Sequence, residues 1–294
     1  MMARRRLFLA GGAALVLAAR PGRAAPPRRV VAIGPAMTET VCALGQQGTL
    51  VAVDSSSLFP PAITALPKVG YLRALPTEGI IGLHPDLLLL SDQAGPAQAV
   101  EVLRASGLPV VTVADGAGLA ATTAKIRAAA AALERDGAPL AAAVAADWAL
   151  LDAPLSALPR KPRVMFVLSA GQGAPLVSGE ATHAASLIEA AGGVNAVRGF
   201  RGYRPLSAEM GASLAPDILL MMPHALGEAG GRAAVLGHPA LALTPAAAAG
   251  ALHAIDAGHL TFGPRAALAR REVAALLHPG LALPTLPERP WYRA

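Results

Sequence analysis

One cysteine, Cys42, stands in 294 residues, which excludes a disulfide framework. No Gly-x-Gly-x-x-Gly or Gly-Lys-Ser/Thr fingerprint occurs, so nothing marks a nucleotide-phosphate cradle. His-x-x-x-His and Cys-x-x-Cys spacings are missing, as is any clustered carboxylate set, so a dedicated zinc or calcium site has no evident ligands. Ser91-Asp92 and Ser169 sit in candidate loops, but neither has the sequence context of a catalytic triad. The apolar fraction of 54% excludes disorder, and 30 glycines without a period of three exclude collagen. What remains is a globular chain long enough for two lobes of about 100 to 150 residues, each with its own core.

A net charge of +6 invites a nucleic-acid partner until the charges are located. Arg4, Arg5, Arg6, Arg20 and Arg23 lie in the first 24 residues, which hold no acid. Without these five, the 25 basic residues fall to 20, against 19 acidic ones. That near-balance removes the basis for nucleic-acid binding. Three of the arginines precede a 13-residue apolar run, Leu7 to Ala19, followed by Pro21-Gly22-Arg23-Ala24 with small residues at the positions a signal peptidase reads. A secretory signal peptide over 1–24 is predicted, cleaved after Ala24, with the mature protein in the periplasm. The run is too short for a bilayer core of about 30 Å, which takes about 20 helical residues. Arg5-Arg6-Leu7-Phe8-Leu9 fits the twin-arginine pattern as well as the general secretory one, so both export routes stay open. Cys42 lies well past the cleavage site and is expected to be a small buried hydrophobe.

The mature chain alternates short apolar strands with helical spacing. Strands are predicted at Val30–Ile33, Leu50–Val53, Leu87–Leu90 and Val110–Val113, with helices over Thr38–Leu44 and Pro96–Ser106, which is the pattern of a parallel sheet covered on both faces. From Val164 the pattern begins again, with a strand to Leu168 and a helix over Ala181–Ala191. The stretch Leu75 to Leu90 aligns without a gap with Leu206 to Met221, each carrying Glu, then Pro-Asp seven residues later, then an apolar run. Just upstream, Gly70-Tyr71-Leu72-Arg73 parallels Gly202-Tyr203-Arg204. The fold class expected is α/β, with two topologically similar lobes, central mainly parallel sheets and a ligand cleft between them. The N-terminal lobe is placed at 25–116 and a long, Ala-rich helical connector at 117–157; the C-terminal lobe, at 158–294, ends in an extended strap from Pro279. Gly34-Pro35 and Gly171-Gln172-Gly173 follow the first strand of each lobe and are expected to line the cleft, since open parallel sheets bind ligands beyond the carboxyl ends of their strands.

An exported two-lobed chain with these repeated elements and Lys68-Val69-Gly70-Tyr71-Leu72-Arg73 resembles the periplasmic haem-binding proteins of bacterial ABC importers. These are class III binding proteins with a helical backbone between the lobes. The resemblance runs from about Arg29 to Arg265. Its most specific pieces include Ser91-Asp92-Gln93-Ala94-Gly95-Pro96, His238-Pro239 through Thr244-Pro245, and Phe262-Gly263-Pro264-Arg265. The architecture is shared with siderophore, cobalamin and metal-ion binders, and Gly-Tyr-x-Arg selects haem among them.

The resemblance implies Tyr71 as the axial ligand of the haem iron, a role that suits a phenolate, which is a hard anionic donor for Fe(III). Its bland alternative is a partly buried core tyrosine. Arg73, two positions on, is placed either to favour the phenolate or to pair with a haem propionate. Tyr203 is the counterpart in the second lobe, either a second contact across the cleft or a packing residue. His183, in the early turns of a second-lobe helix, and His224, in a second-lobe loop, are candidate haem contacts; His84 is expected to be structural, and His238, His253, His259 and His278 surface or capping residues. The partners implied are haem, as transported ligand, and an inner-membrane ABC permease dimer with its ATPase, served by a monomer. Glu78 and Glu209 are implied to dock on the permease, although each alone is explained by its place at a helix start. An exported cleft hydrolase is the alternative from a different class.

Overall fold

The computed structural model describes residues 26–293, so the expected signal peptide lies outside the described residues. The first lobe is built on β1 (Val30–Ile33), β2 (Leu50–Val53), β3 (Leu87–Ser91) and β4 (Val110–Val113), all parallel and ordered β2-β1-β3-β4. Helices α1 (Pro35–Ala43), α2 (Thr77–Gly82) and α3 (Ala97–Ala105) alternate with the strands. Period-two alternation divides the buried strand residues between two cores. Val30, Ala32, Leu87 and Leu89 pack on Met37 and Val41 of α1. Val31, Ile33, Leu88 and Leu90 pack on Ile80 of α2 and Leu103 of α3.

Three helices follow: α4 (Gly118–Ala132), α5 (Ala138–Ala149) and α6 (Asp152–Ser156). The long connector expected from the Ala-rich run is therefore broken twice. Pro139 stands in the first turn of α5, where its missing N–H costs nothing, and so fixes a new helix start after the turn at 133–137. α4 and α5 pack against each other, with α4 also on α1 of the first lobe and α7 of the second, and α5 on the last long helix of the second lobe, so the hairpin ties the two lobes together.

The second lobe comprises β5 (Arg163–Ser169), β6 (Leu176–Ser178), α7 (His183–Ala190), β7 (Val194–Asn195), β8 (Tyr203–Pro205), α8 (Ala208–Leu214), β9 (Ile218–Met221), α9 (Pro223–Glu228), α10 (Arg232–Leu236), α11 (Pro245–Ala248), β10 (Leu252–Ala254) and α12 (Ala266–Leu277). Strands β7, β5, β9 and β10 are parallel neighbours in the order of the first lobe, β2-β1-β3-β4. The expected mainly parallel sheet is modified here, because β6 pairs antiparallel with β5 and β8 antiparallel with β6, making a mixed sheet.

The repeat in the sequence is a repeat in hydrogen bonding. Asp86 accepts the backbone N–H groups of Arg28 and Arg29, each at 2.8 Å, while the Arg29 guanidinium donates to the Leu83 carbonyl at the end of α2. In the second lobe Asp217 accepts the N–H of Arg163 at 2.8 Å, and the Arg163 guanidinium donates to the Leu214 carbonyl at the end of α8. Each Pro-Asp thus fixes the start of a first strand, and the arginine there satisfies a helix-end carbonyl. The C-terminal tail runs as a strap: Leu281, Leu283 and Leu286 pack on the second-lobe core, and Arg289 closes a fork on Asp147 of α5 at 2.7 and 2.9 Å.

Candidate functional site

A cleft of about 660 Å³ opens between the lobes, with Tyr71, Arg73 and Gln93 on one side and His183, Tyr203 and Thr261 on the other. Tyr71 owes its place to the end of β2. Val69 N–H donates to the Val53 carbonyl at 3.0 Å and Ser55 N–H to the Gly70 carbonyl at 2.8 Å, so the segment before the tyrosine runs alongside the strand. Gly70 then turns with φ +93°, a conformation side chains rarely adopt, and the loop is pinned by Gly95 N–H on the Leu72 carbonyl at 2.8 Å. Tyr71 emerges 49% exposed. Tyr203 follows an equivalent glycine, Gly202 with φ +79°, but is carried on β8 opposite Ser178 and is 39% exposed. Burial raises the Tyr203 phenol above its ordinary pKa, and the charge of Arg73 on the opposite lobe opposes that rise.

Beneath this loop lies a buried carboxylate that no sequence motif singled out. Asp54 accepts from Gly34 N–H at 2.9 Å, Ser56 N–H at 2.9 Å and the Ser57 hydroxyl at 2.6 Å, and also from the Ser56 hydroxyl. It ties the turn after β1 to the loop that holds Gly70. Replacing it leaves several buried donors unpaired, so Asp54→Ala is expected to lower stability by about 2 kcal/mol, measurable by urea denaturation.

At the cleft floor His183 places Nδ1 2.8 Å from the Leu260 carbonyl and Nε2 2.9 Å from the Asp115 carbonyl. Lys125, fully buried on α4, bonds the Asp115 carboxylate and reaches the Thr261 carbonyl at 3.2 Å. The other Asp115 oxygen accepts from the Ser91 hydroxyl at 3.2 Å. Ser91, considered for a hydrolase, is thus buried and committed to a carboxylate.

Four of the candidates named from the sequence, Tyr71, Arg73, Tyr203 and His183, meet in this cleft. His224 does not join them; it lies exposed on α9, outside the lining. Pro35 lines the cleft as expected, but Gly171-Gln172-Gly173 does not, and the Gly173 carbonyl instead faces His238 at 3.2 Å. His259 pairs with Glu272 at 2.6 Å and His278 with the Ala191 carbonyl at 3.1 Å. Glu78 and Glu209 stand exposed in the first turns of α2 and α8. A second cavity of about 440 Å³ sits at the other end of α1, lined by Cys42, Phe59 and Trp291. Burial, with the charge of Glu39 adding to it, pushes the Cys42 thiol up to about 12, which leaves it protonated and unreactive at neutral pH.

Residues 30–257 match the protein family described as Periplasmic binding protein. The fold is similar to the periplasmic heme-binding protein BhuT, solved in complex with two hemes: 38% identity, a TM-score of 0.81, and coverage of 86% of this chain and 99% of that one. It is equally close to the periplasmic heme-binding protein RhuT from Roseiflexus sp. RS-1 in apo form, at 35% identity and a TM-score of 0.82 over 85% of this chain and 97% of that one. Among curated proteins, the vitamin B12-binding protein of Vibrio vulnificus (strain YJ016) is 36% identical over 88 residues, a match spanning 30% of this chain and 32% of that relative. With a family match across both lobes, and a fold shared almost end to end with two solved periplasmic proteins, the chain belongs to the periplasmic binding protein family.

Proposed function

We propose that the protein captures haem in the periplasm, as a monomer, and delivers it to an inner-membrane ABC permease powered by its ATPase. The observation that carries this is the pairing of a Gly-Tyr-x-Arg loop with Tyr203 across one cleft. A porphyrin is flat and mostly apolar, with carboxylates at one edge, and a slot between two lobes offers both faces of the ring a wall. Tyr71 supplies a phenolate to Fe(III), Arg73 a guanidinium matched to a propionate, and Tyr203 a second ring from the opposite side. The two haem-binding structures of 38% and 35% identity support the same ligand.

A corrinoid is the second ligand to test, because the Vibrio relative binds vitamin B12. A ligand at 100 times its Kd stabilises the native state by about 2.7 kcal/mol. Hemin is therefore expected to raise the unfolding midpoint of the mature protein, whereas cyanocobalamin at equal concentration leaves it in place. Stabilisation by cyanocobalamin alone would reverse the assignment.

Delivery rests on Glu78 and Glu209, at equivalent places in the two lobes. A pseudo-symmetric pair of exposed carboxylates suits a two-fold permease bearing a cation on each subunit, where such charges set recognition and on-rate. Glu78→Ala combined with Glu209→Ala is expected to keep haem binding while reducing reconstituted uptake and ATPase stimulation at least tenfold. Wild-type transport by the double variant would reduce both to helix-start residues.

A further inference from the structure

We propose that His183 is an imidazolium that braces the two lobes at the cleft floor, a positioning residue and not an iron ligand. The geometry is an excess of acceptors. One ring nitrogen faces the Leu260 carbonyl at 2.8 Å and the other the Asp115 carbonyl at 2.9 Å. A carbonyl only accepts, and a neutral imidazole has one N–H to give; both contacts are hydrogen bonds only when both nitrogens are protonated. The Thr261 carbonyl and the Asp115 carboxylate crowd the same floor, and Lys125 answers them with one positive charge. Two cations thus bridge the same two segments: Lys125 joins the Asp115 carboxylate to the Thr261 carbonyl, and His183 joins the Asp115 carbonyl to the Leu260 carbonyl. Asp115 follows β4 of the first lobe, whereas His183 and Leu260 belong to the second, so the ring spans the interface. Phe262 seats it edge-on, with centroids 5.4 Å apart and planes at 71°.

The other charges on elements packed against α7 are already occupied. His259 is paired with Glu272 and Arg270 with Asp152, while Arg163 and Arg271 donate to the Leu214 and Pro284 carbonyls. Arg127 of α4 is exposed, and Asp256 accepts from Gly258 N–H at 2.7 Å. The two backbone carbonyls at hydrogen-bond distance are what hold the imidazolium. With both nitrogens engaged, the ring has no lone pair for iron. Loss of one proton turns a donor into a lone pair facing an oxygen, so one end of the brace releases and the lobes are held at the floor by Lys125.

This is independent of what fills the cleft, and the test uses the apo protein. In 15N-labelled protein at about pH 6.5, long-range proton–nitrogen correlation should show both His183 ring nitrogens protonated, with His183→Gln identifying the signals. A charge-assisted bond is worth enough to change an opening equilibrium roughly tenfold. Amide exchange at 115–118 and 260–263 should accordingly rise about tenfold in His183→Gln. A ring with one protonated and one bare nitrogen in that spectrum would overturn the imidazolium. Exchange at both segments unchanged in the variant would overturn the brace.

Discussion

Tyr71→Phe is expected to abolish the phenolate-to-iron absorption of the ferric haem complex and to weaken haem binding by roughly 100-fold, about 2.7 kcal/mol. Substituting groups that merely orient a metal ligand already costs about 10- to 100-fold, and this change deletes the donor oxygen itself while keeping the ring. Tyr71 stands half exposed at the cleft lip on a loop anchored to β2 and Gly95, so the phenylalanine has no packing to lose and the fold should be unaffected. Tyr203→Phe should cost less than about tenfold, the scale of one hydrogen bond, because the change removes one hydroxyl and keeps the ring. Arg73→Ala should lower affinity about tenfold with the absorption band retained, since a charged contact is lost and the donor stays. Visible titrations of the three variants separate these roles.

The largest effect on stability is expected at Arg265. Its guanidinium forks onto Glu39 of α1 at 2.8 and 3.1 Å and lies 3.6 Å over the Phe59 ring, joining the second lobe to the first. Glu39 is almost wholly buried, and burial raises its pKa against the opposing pull of Arg265. Removing one partner of a buried pair strands the other, at about 3 to 5 kcal/mol. Arg265→Ala should lose that much at neutral pH in chemical denaturation. The sign with pH follows from the raised carboxyl: a group that holds its proton more tightly when folded favours folding at low pH and ceases to do so as pH rises through its native value. Without the guanidinium, Glu39 should be shifted up further. The deficit of Arg265→Ala relative to wild type should then shrink as pH falls toward the ordinary carboxyl value of 4.5. A deficit that stayed constant with pH would mean that Glu39 is not the stranded group.

The parallel cores were legible in the sequence because strands buried on both faces are written as continuous apolar runs, such as Leu87 to Leu90 and Ile218 to Met221. The repeat of Glu and Pro-Asp located α2 and α8 and the strands after them. Strands β6 and β8 were not legible: each has three residues, and Pro205 ends the second, so neither displays alternation over a useful length. The hairpin of α4 and α5 was hidden by the Ala-rich composition, although Gly137 and Pro139 mark the break. In the site, the two Gly-Tyr pairs were visible because a glycine turn before a rare residue type leaves a local trace. Asp54, Asp115 and Lys125 left none, since a buried charge is recognised by partners that only the tertiary fold supplies. The same limit explains why His183 and His224 looked alike; both follow strands of the second lobe, and only packing sends one to the cleft and the other to solvent.

Hemin titration of the mature protein, followed in the visible region, decides most directly whether the cleft is a haem site. A saturable ferric spectrum of the tyrosinate-ligated type, lost in Tyr71→Phe, is the expected result. A featureless, non-saturating hemin spectrum, or a saturable one unchanged by that substitution, would contradict it.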